Sequence, residues 1–148
     1  MPGRVSVVGS VNLDVVCEVQ RLPAAGETLA ARAVRENVGG KGANQAVAAA
    51  LAGGTVALVA RIGADDVGRR LREGIARHGV DVSGVEAVPG VRSGTAFITV
   101  DSVGENTIVI DPAANAAWPD EPATLDAVAH RAVAGASVVT LQHEEIGR

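Results

Sequence analysis

Val38-Gly39-Gly40-Lys41-Gly42-Ala43-Asn44-Gln45 is the stretch from which the fold is read. Lys41 is the only lysine among thirteen basic residues, the other twelve being arginine. A compact ammonium therefore sits among glycines that let the backbone approach a ligand closely. The alanine-rich run that follows, Ala46 to Ala52, is a strong helix former. This predicts a helix over 43–52 with the glycines at or just before its N-terminus, where free N–H groups favour oxygen-rich or anionic ligands. Upstream, Val5 to Gly9 reads as a buried first strand, and downstream Thr55 to Ala60 is a continuous apolar strand. Asp65 or Asp66 then caps a helix to about His78, with Val67, Leu71 and Ile75 on one face. This β-α-β-α rhythm predicts an α/β fold, a Rossmann-like parallel sheet covered by helices, with ligands gathered at the carboxyl ends of the strands.

Two regions break the rhythm. Asp14 to Gln20 reads as an exposed strand ending at Pro23, and residues 28–37 as its antiparallel return. Thr95 to Val100 and Thr107 to Ile110, joined by a turn containing Gly104, form a hairpin. Together these segments suggest a small separate antiparallel sheet. A helix near Thr124 to Ala134 and a strand from Ala136 to Leu141 resume the parallel pattern.

The chain has 148 residues, 47% hydrophobic and 20% charged, which suits one ordinary domain. Its net charge of −4 and scattered arginines supply no basic stripe, so nucleic acid is not expected as a partner. No apolar stretch approaches the roughly 20 residues a membrane helix requires, and a soluble, cytoplasmic protein with no membrane partner is expected. The lone Cys17 alternates with Val15 and Val19 and is expected to pack rather than react.

Three clusters fall near strand ends or loops: Asn12 with Asp14, Gly39 to Asn44, and Glu144. They combine carboxylates, amides and an ammonium, the inventory that hydrogen-bonds neighbouring hydroxyls of a sugar. The stretches Val7 to Asp14, Gly26-Glu27-Thr28, Gly39 to Ala50, Ile62 to Gly68, Ser93-Gly94-Thr95-Ala96 and Gly104 to Ile108 resemble, in order and spacing, the PfkB or ribokinase family of carbohydrate kinases. The resemblance covers essentially the whole chain but only about the first half of a family member, so the ribokinase-like fold is expected to be incomplete.

The resemblance implies a role for each matching residue. Asn12 and Asp14 match early sugar contacts; Gly39, Gly40, Lys41 and Asn44 match the loop that holds the sugar; Glu144 matches a carboxylate at a strand end, with Glu145 a rival register. Segments of about 14–37 and 93–110 match a lid inserted in the α/β core, which closes on the sugar and often mediates dimerisation. The implied reaction is ATP-dependent phosphorylation of D-ribose. ATP, Mg²⁺ and a monovalent cation (K⁺) are the implied cofactors, with their sites and the catalytic aspartate in the family's later half; no catalytic, cofactor or metal residue is assigned in this chain. A homodimer and a complementary C-terminal fragment are the implied protein partners. At Asp111-Pro112-Ala113-Ala114-Asn115-Ala116 the chain departs from the family's Gly-Ala-Asn, with Ala114 where glycine is usual.

Other readings stand beside these. A P-loop would need glycine where Arg35 stands, and a dinucleotide fingerprint would need glycine at Gln45. Asp14 as an edge-strand charge, Asn12 as a turn residue and Lys41 as a solvated loop lysine are the structural alternatives. A related kinase for another sugar or nucleoside, and a non-catalytic sugar-binding or dimerising module, are the functional ones.

Overall fold

Apolar runs of β-branched residues and alanine build the centre of the molecule, because a strand covered on both faces has no polar side to present. A computed structural model describes residues 3–119, 127 and 130–142. The first sheet holds β1 (Arg4–Val8), β4 (Thr55–Gly63), β5 (Asp81–Val88) and β8 (Val138–Leu141) in the order β5-β4-β1-β8, all parallel. On one face lie α1 (Lys41–Leu51) and α2 (Asp66–Ala76), burying Val7, Ala43, Ala46, Leu58, Ile62, Leu71 and Ile75. On the other, Val59 packs with Val8, Trp118 and Ala132, the last from helical residues 130–133. Arg61 is buried on that second face, its guanidinium 5.5 Å from the Trp118 ring centre.

Both helices start and stop for local reasons. α1 ends at Ala52, and Gly53 in the left-handed region (φ 90°) turns the chain away. α2 is capped by Asp65, whose side chain accepts from Gly68 N at 2.7 Å. Leu71 and Ile75 are buried and Val67 half-buried, as the i, i+4, i+8 spacing predicts. The expected helix near Thr124 to Ala134 is helical at 127 and 130–133 and turns at Ala134, while 124–126, 128 and 129 lie outside the described residues.

One strand was not expected. β5 carries Asp81, Gly84 and Glu86, and of its residues only Val85 is buried. Its pairing with β4 shifts register between Ala57 and Val59, and a Cβ on Gly84 would stand 2.8 Å from Leu58 O. An edge strand with a bulge and one buried side chain has too weak an apolar period to announce itself.

The second sheet holds β2 (Asn12–Glu18), β3 (Ala33–Gly39), β6 (Gly94–Val100) and β7 (Asn106–Asp111) in the order β3-β2-β6-β7. The β2–β3 and β6–β7 pairs are antiparallel as expected, but β2 and β6 run parallel. The reason is topological: each leaves the first sheet directly after one of its parallel strands, so both set out in the same direction. β2 is thus an interior strand, largely half-buried rather than exposed, and Asp14 does not guard an edge. Cys17 is half-buried beside Val34 and Thr99.

Asp65 also ties the two sheets together. Its carboxylate accepts from Ser93 Oγ at 2.7 Å and Ser93 N at 2.9 Å, while Ser93 Oγ accepts from Gly63 N at 3.0 Å. Burial alone would raise the Asp65 pKa; the hydrogen bonds from Gly68 and Ser93 outweigh it and hold it below the usual aspartate range. The stability this contributes is present above the unfolded aspartate pKa and is lost as pH falls through the lowered value. Asp65→Ala removes a cap and orphans Ser93, and is expected to cost about 2–3 kcal/mol. Urea unfolding measures it; a loss under about 0.5 kcal/mol refutes the tie.

Candidate functional site

Where the chain passes between the sheets, pairing sets Gly39, Asn12 and Gly94 side by side on three adjacent strands. Neither glycine has room for a side chain. A Cβ on Gly39 would stand 2.1 Å from Asp14 Oδ2, and one on Gly94 would stand 2.1 Å from Asn115 Nδ2 and 2.5 Å from Asn12 Oδ1. Alternation along β2 puts Asn12 and Asp14 on the same face. The result is a polar trough in which the Asp14 carboxylate fills the space over Gly39 and the Asn12 and Asn115 amides fill that over Gly94.

Asn12 is buried, 4% exposed, and its Oδ1 accepts from Asn115 Nδ2 at 2.7 Å. Among the described residues nothing hydrogen-bonds its Nδ2 or the Asp14 carboxylate. Asp14 is half-buried, and desolvation raises its pKa above the usual aspartate range.

The glycine loop enters α1 immediately beside this trough. Gly40 is the N-cap with φ 92°, and a Cβ there would meet Ser10 O at 2.6 Å and Asn12 N at 2.9 Å. A Cβ on Gly42 would meet Gly9 C at 2.6 Å. Glycine at both positions lets the helix start lie directly on the turn between β1 and β2. The free N–H groups expected at this end are partly engaged: Lys41 N donates to Ser10 Oγ at 3.2 Å and Ala43 N to Ser10 O at 3.1 Å. Lys41 and Asn44 are exposed and three residues apart, on neighbouring positions of the first turn.

Of the residues expected from sequence, the structure places Asn12, Asp14, Gly39 and Gly40 in contact, with Lys41 and Asn44 exposed on the helix turn that follows. Glu144 and its rival Glu145 lie outside the described residues. Gly94, Ser10 and Asn115 were not singled out as site residues. An isolated glycine opening a strand with no turn to make, as at Gly94, was the available signal of close approach; for Ser10 and Asn115 the signal was their place in the family-like stretches Val7 to Asp14 and Asp111 to Ala116. Among the described residues no three His, Cys, Asp or Glu side chains group to hold a metal, and no helix is long and apolar enough to cross a membrane.

Residues 3–146 match the family model described as pfkB family carbohydrate kinase. The chain belongs to that family. Like other pfkB members, it is similar to curated kinases: a ribokinase of Haemophilus influenzae, 41% identical over 110 residues, covering 74% of this chain and 36% of the relative. A deoxyribokinase of Salmonella typhi is 37% identical over 111 residues, covering 75% and 36%. Arabidopsis thaliana ribokinase, solved with ribose and ATP, superposes with a TM-score of 0.77 at 35% identity, covering 96% of this chain and 45% of that one. The chain therefore spans about a third to under half of these pfkB kinases, and carries the ribokinase-like fold over that portion.

Proposed function

We propose that this chain forms the sugar-binding and lid portion of a ribokinase-type kinase, which transfers the γ-phosphoryl group of ATP to the 5-hydroxyl of D-ribose in the cytoplasm. The row Gly39–Asn12–Gly94, with the Asp14 carboxylate over Gly39, is the observation that carries this reading. The missing glycine side chains leave room for a carboxylate and an amide to stand close together on one face, where the carboxylate accepts from sugar hydroxyls while Asn12 Nδ2 donates. In this reading Lys41 and Asn44, exposed on the first turn of α1, and the Glu144 carboxylate are the further sugar contacts. The chain's share of the chemistry is to bind and orient the acceptor hydroxyl. The second sheet acts as the lid whose closure excludes water.

ATP, Mg²⁺ and K⁺ are the cofactors of this reaction, with Mg²⁺ offsetting phosphate charge. The described residues do not fit them. There is no metal-ligating cluster, and two N–H groups of the α1 start are taken by Ser10 rather than left for phosphate. A homodimer formed by the lids is part of the reading, supported by Phe97 and its cross-strand partner Val109, 53% and 69% exposed on one face of that sheet. Val138 and Leu141 on the edge strand β8, 53% and 71% exposed, suit a complementary C-terminal segment.

Titration calorimetry of the purified chain with D-ribose, beside an ATP-to-ADP assay and light scattering, tests this. The expected result is saturable binding with no turnover, by a dimer. A folded chain that gives no heat refutes the autonomous sugar site, and a monomer refutes the lid dimer. The similarity to a deoxyribokinase supports a second reading, a sugar lacking one hydroxyl; tighter binding of 2-deoxy-D-ribose than of D-ribose would select it.

A further inference from the structure

We infer that Asn115 is a positioning residue that sets the polarity of the site by fixing which end of the Asn12 amide faces the ligand. The inference rests on the sugar-site reading and adds a residue to it. An amide oxygen and nitrogen are interchangeable in shape, so only hydrogen bonding decides how an asparagine is turned. At Asn115 the decision is made by backbone groups, which have no such freedom. Val11 N is only a donor and sits 2.9 Å from one end of the Asn115 amide, which must be Oδ1. Val11 O is only an acceptor and sits 3.1 Å from the other end, which must be Nδ2.

The same Nδ2 lies 2.7 Å from the Asn12 side chain, so the atom facing it must be Oδ1. That leaves Asn12 Nδ2 turned the other way, without a partner among the described residues, on a side chain only 4% exposed. Nδ2 is therefore the end of the amide left to donate to a ligand acceptor. The trough therefore presents a donor at Asn12 beside an acceptor at Asp14. Asn115 touches neither ligand nor Asp14 in this scheme; it acts through Asn12. Gly94 is its enabling neighbour, since a Cβ there would occupy the place of the Asn115 amide.

A double-mutant cycle on D-ribose affinity tests the inference. Asn115→Asp keeps the shape and the acceptor for Val11 N but replaces the donor with oxygen, so Asn12 must turn its Nδ2 away from the site. The expected result is about a tenfold loss of affinity in the parent chain, for one lost hydrogen bond. In an Asn12→Ala background the same substitution is expected to change affinity by less than about twofold. Equal losses in both backgrounds, or no loss in either, would overturn it. Side-chain amide NMR without sugar gives a second readout. Asn115→Asp should move the Asn12 NH₂ signals and slow their exchange with water; unmoved signals refute the inference even if the parent chain binds no sugar, the outcome that would sink the sugar-site reading instead.

Discussion

Asp14→Asn is expected to weaken D-ribose binding by about 100-fold or more. The carboxylate stands over Gly39 with no hydrogen-bond donor among the described residues. In the proposed complex it accepts from two hydroxyls. Hydrogen bonds to a charged group contribute about 1.5–3 kcal/mol each, and each 1.4 kcal/mol is a factor of ten. The substitution preserves shape, so the fold is spared and the loss reads out the charge. A pH dependence follows with a definite sign. Burial raises the pKa of Asp14 in the free chain, and donors from a sugar would lower it in the complex. Affinity therefore rises with pH and levels off only above the raised value, so its acid limb lies higher than an ordinary aspartate would place it. Calorimetry between about pH 4 and 8 measures both effects. A loss smaller than about threefold, or an acid limb that persists in Asp14→Asn, removes Asp14 from the site.

Gly40→Ala is expected to lower the melting temperature by about 10 °C or more, and to abolish sugar binding with it. Two costs combine. The residue has φ 92° and ψ 139°, a conformation left almost entirely to glycine, where an L side chain is strained by about 1–3 kcal/mol. The added Cβ also meets Ser10 O at 2.6 Å, Val11 Cα at 2.8 Å and Asn12 N at 2.9 Å, all backbone atoms that no rotamer change can clear. Overpacking of that kind costs about 1–3 kcal/mol. Gly53→Ala is the control for the clash, because Gly53 also has a positive φ, 90°, with nothing within 4 Å of a Cβ. It should show the conformational cost alone. Equal shifts for the two variants would mean that the helix start does not rest on the β1–β2 turn.

Much of this architecture is legible in the residues because it is periodic. β1 and β4 are apolar runs, α2 repeats Val67, Leu71 and Ile75, and the β6–β7 hairpin is two β-branched runs about a Gly104 turn. β5 escapes because its single buried residue, Val85, cannot make a period. The direction of β2 relative to β6 escapes for another reason: it is decided by where each strand leaves the first sheet, a property of topology and not of either segment. The site divides in the same way. Asn12, Asp14 and the loop from Gly39 to Asn44 fall in two short stretches whose residue types suit a sugar. Asn115 meets Asn12 across 103 positions, and an amide that far along the chain carries no local mark of its target.

The order of the first sheet has a consequence for how the chain is made. β1 emerges first from the ribosome, yet it is an interior strand, between β4 and β8. Its pairing with β4 can form once Gly63 has been added, whereas its other edge waits for Val138 to Leu141. At about 5–20 residues per second that interval lasts roughly 4–15 s. Throughout it, Val5 and Val7 border an open parallel edge, the kind of template on which nascent chains pair with each other. The yield of folded protein should therefore depend on translation speed and on chaperones that shelter that edge until β8 arrives.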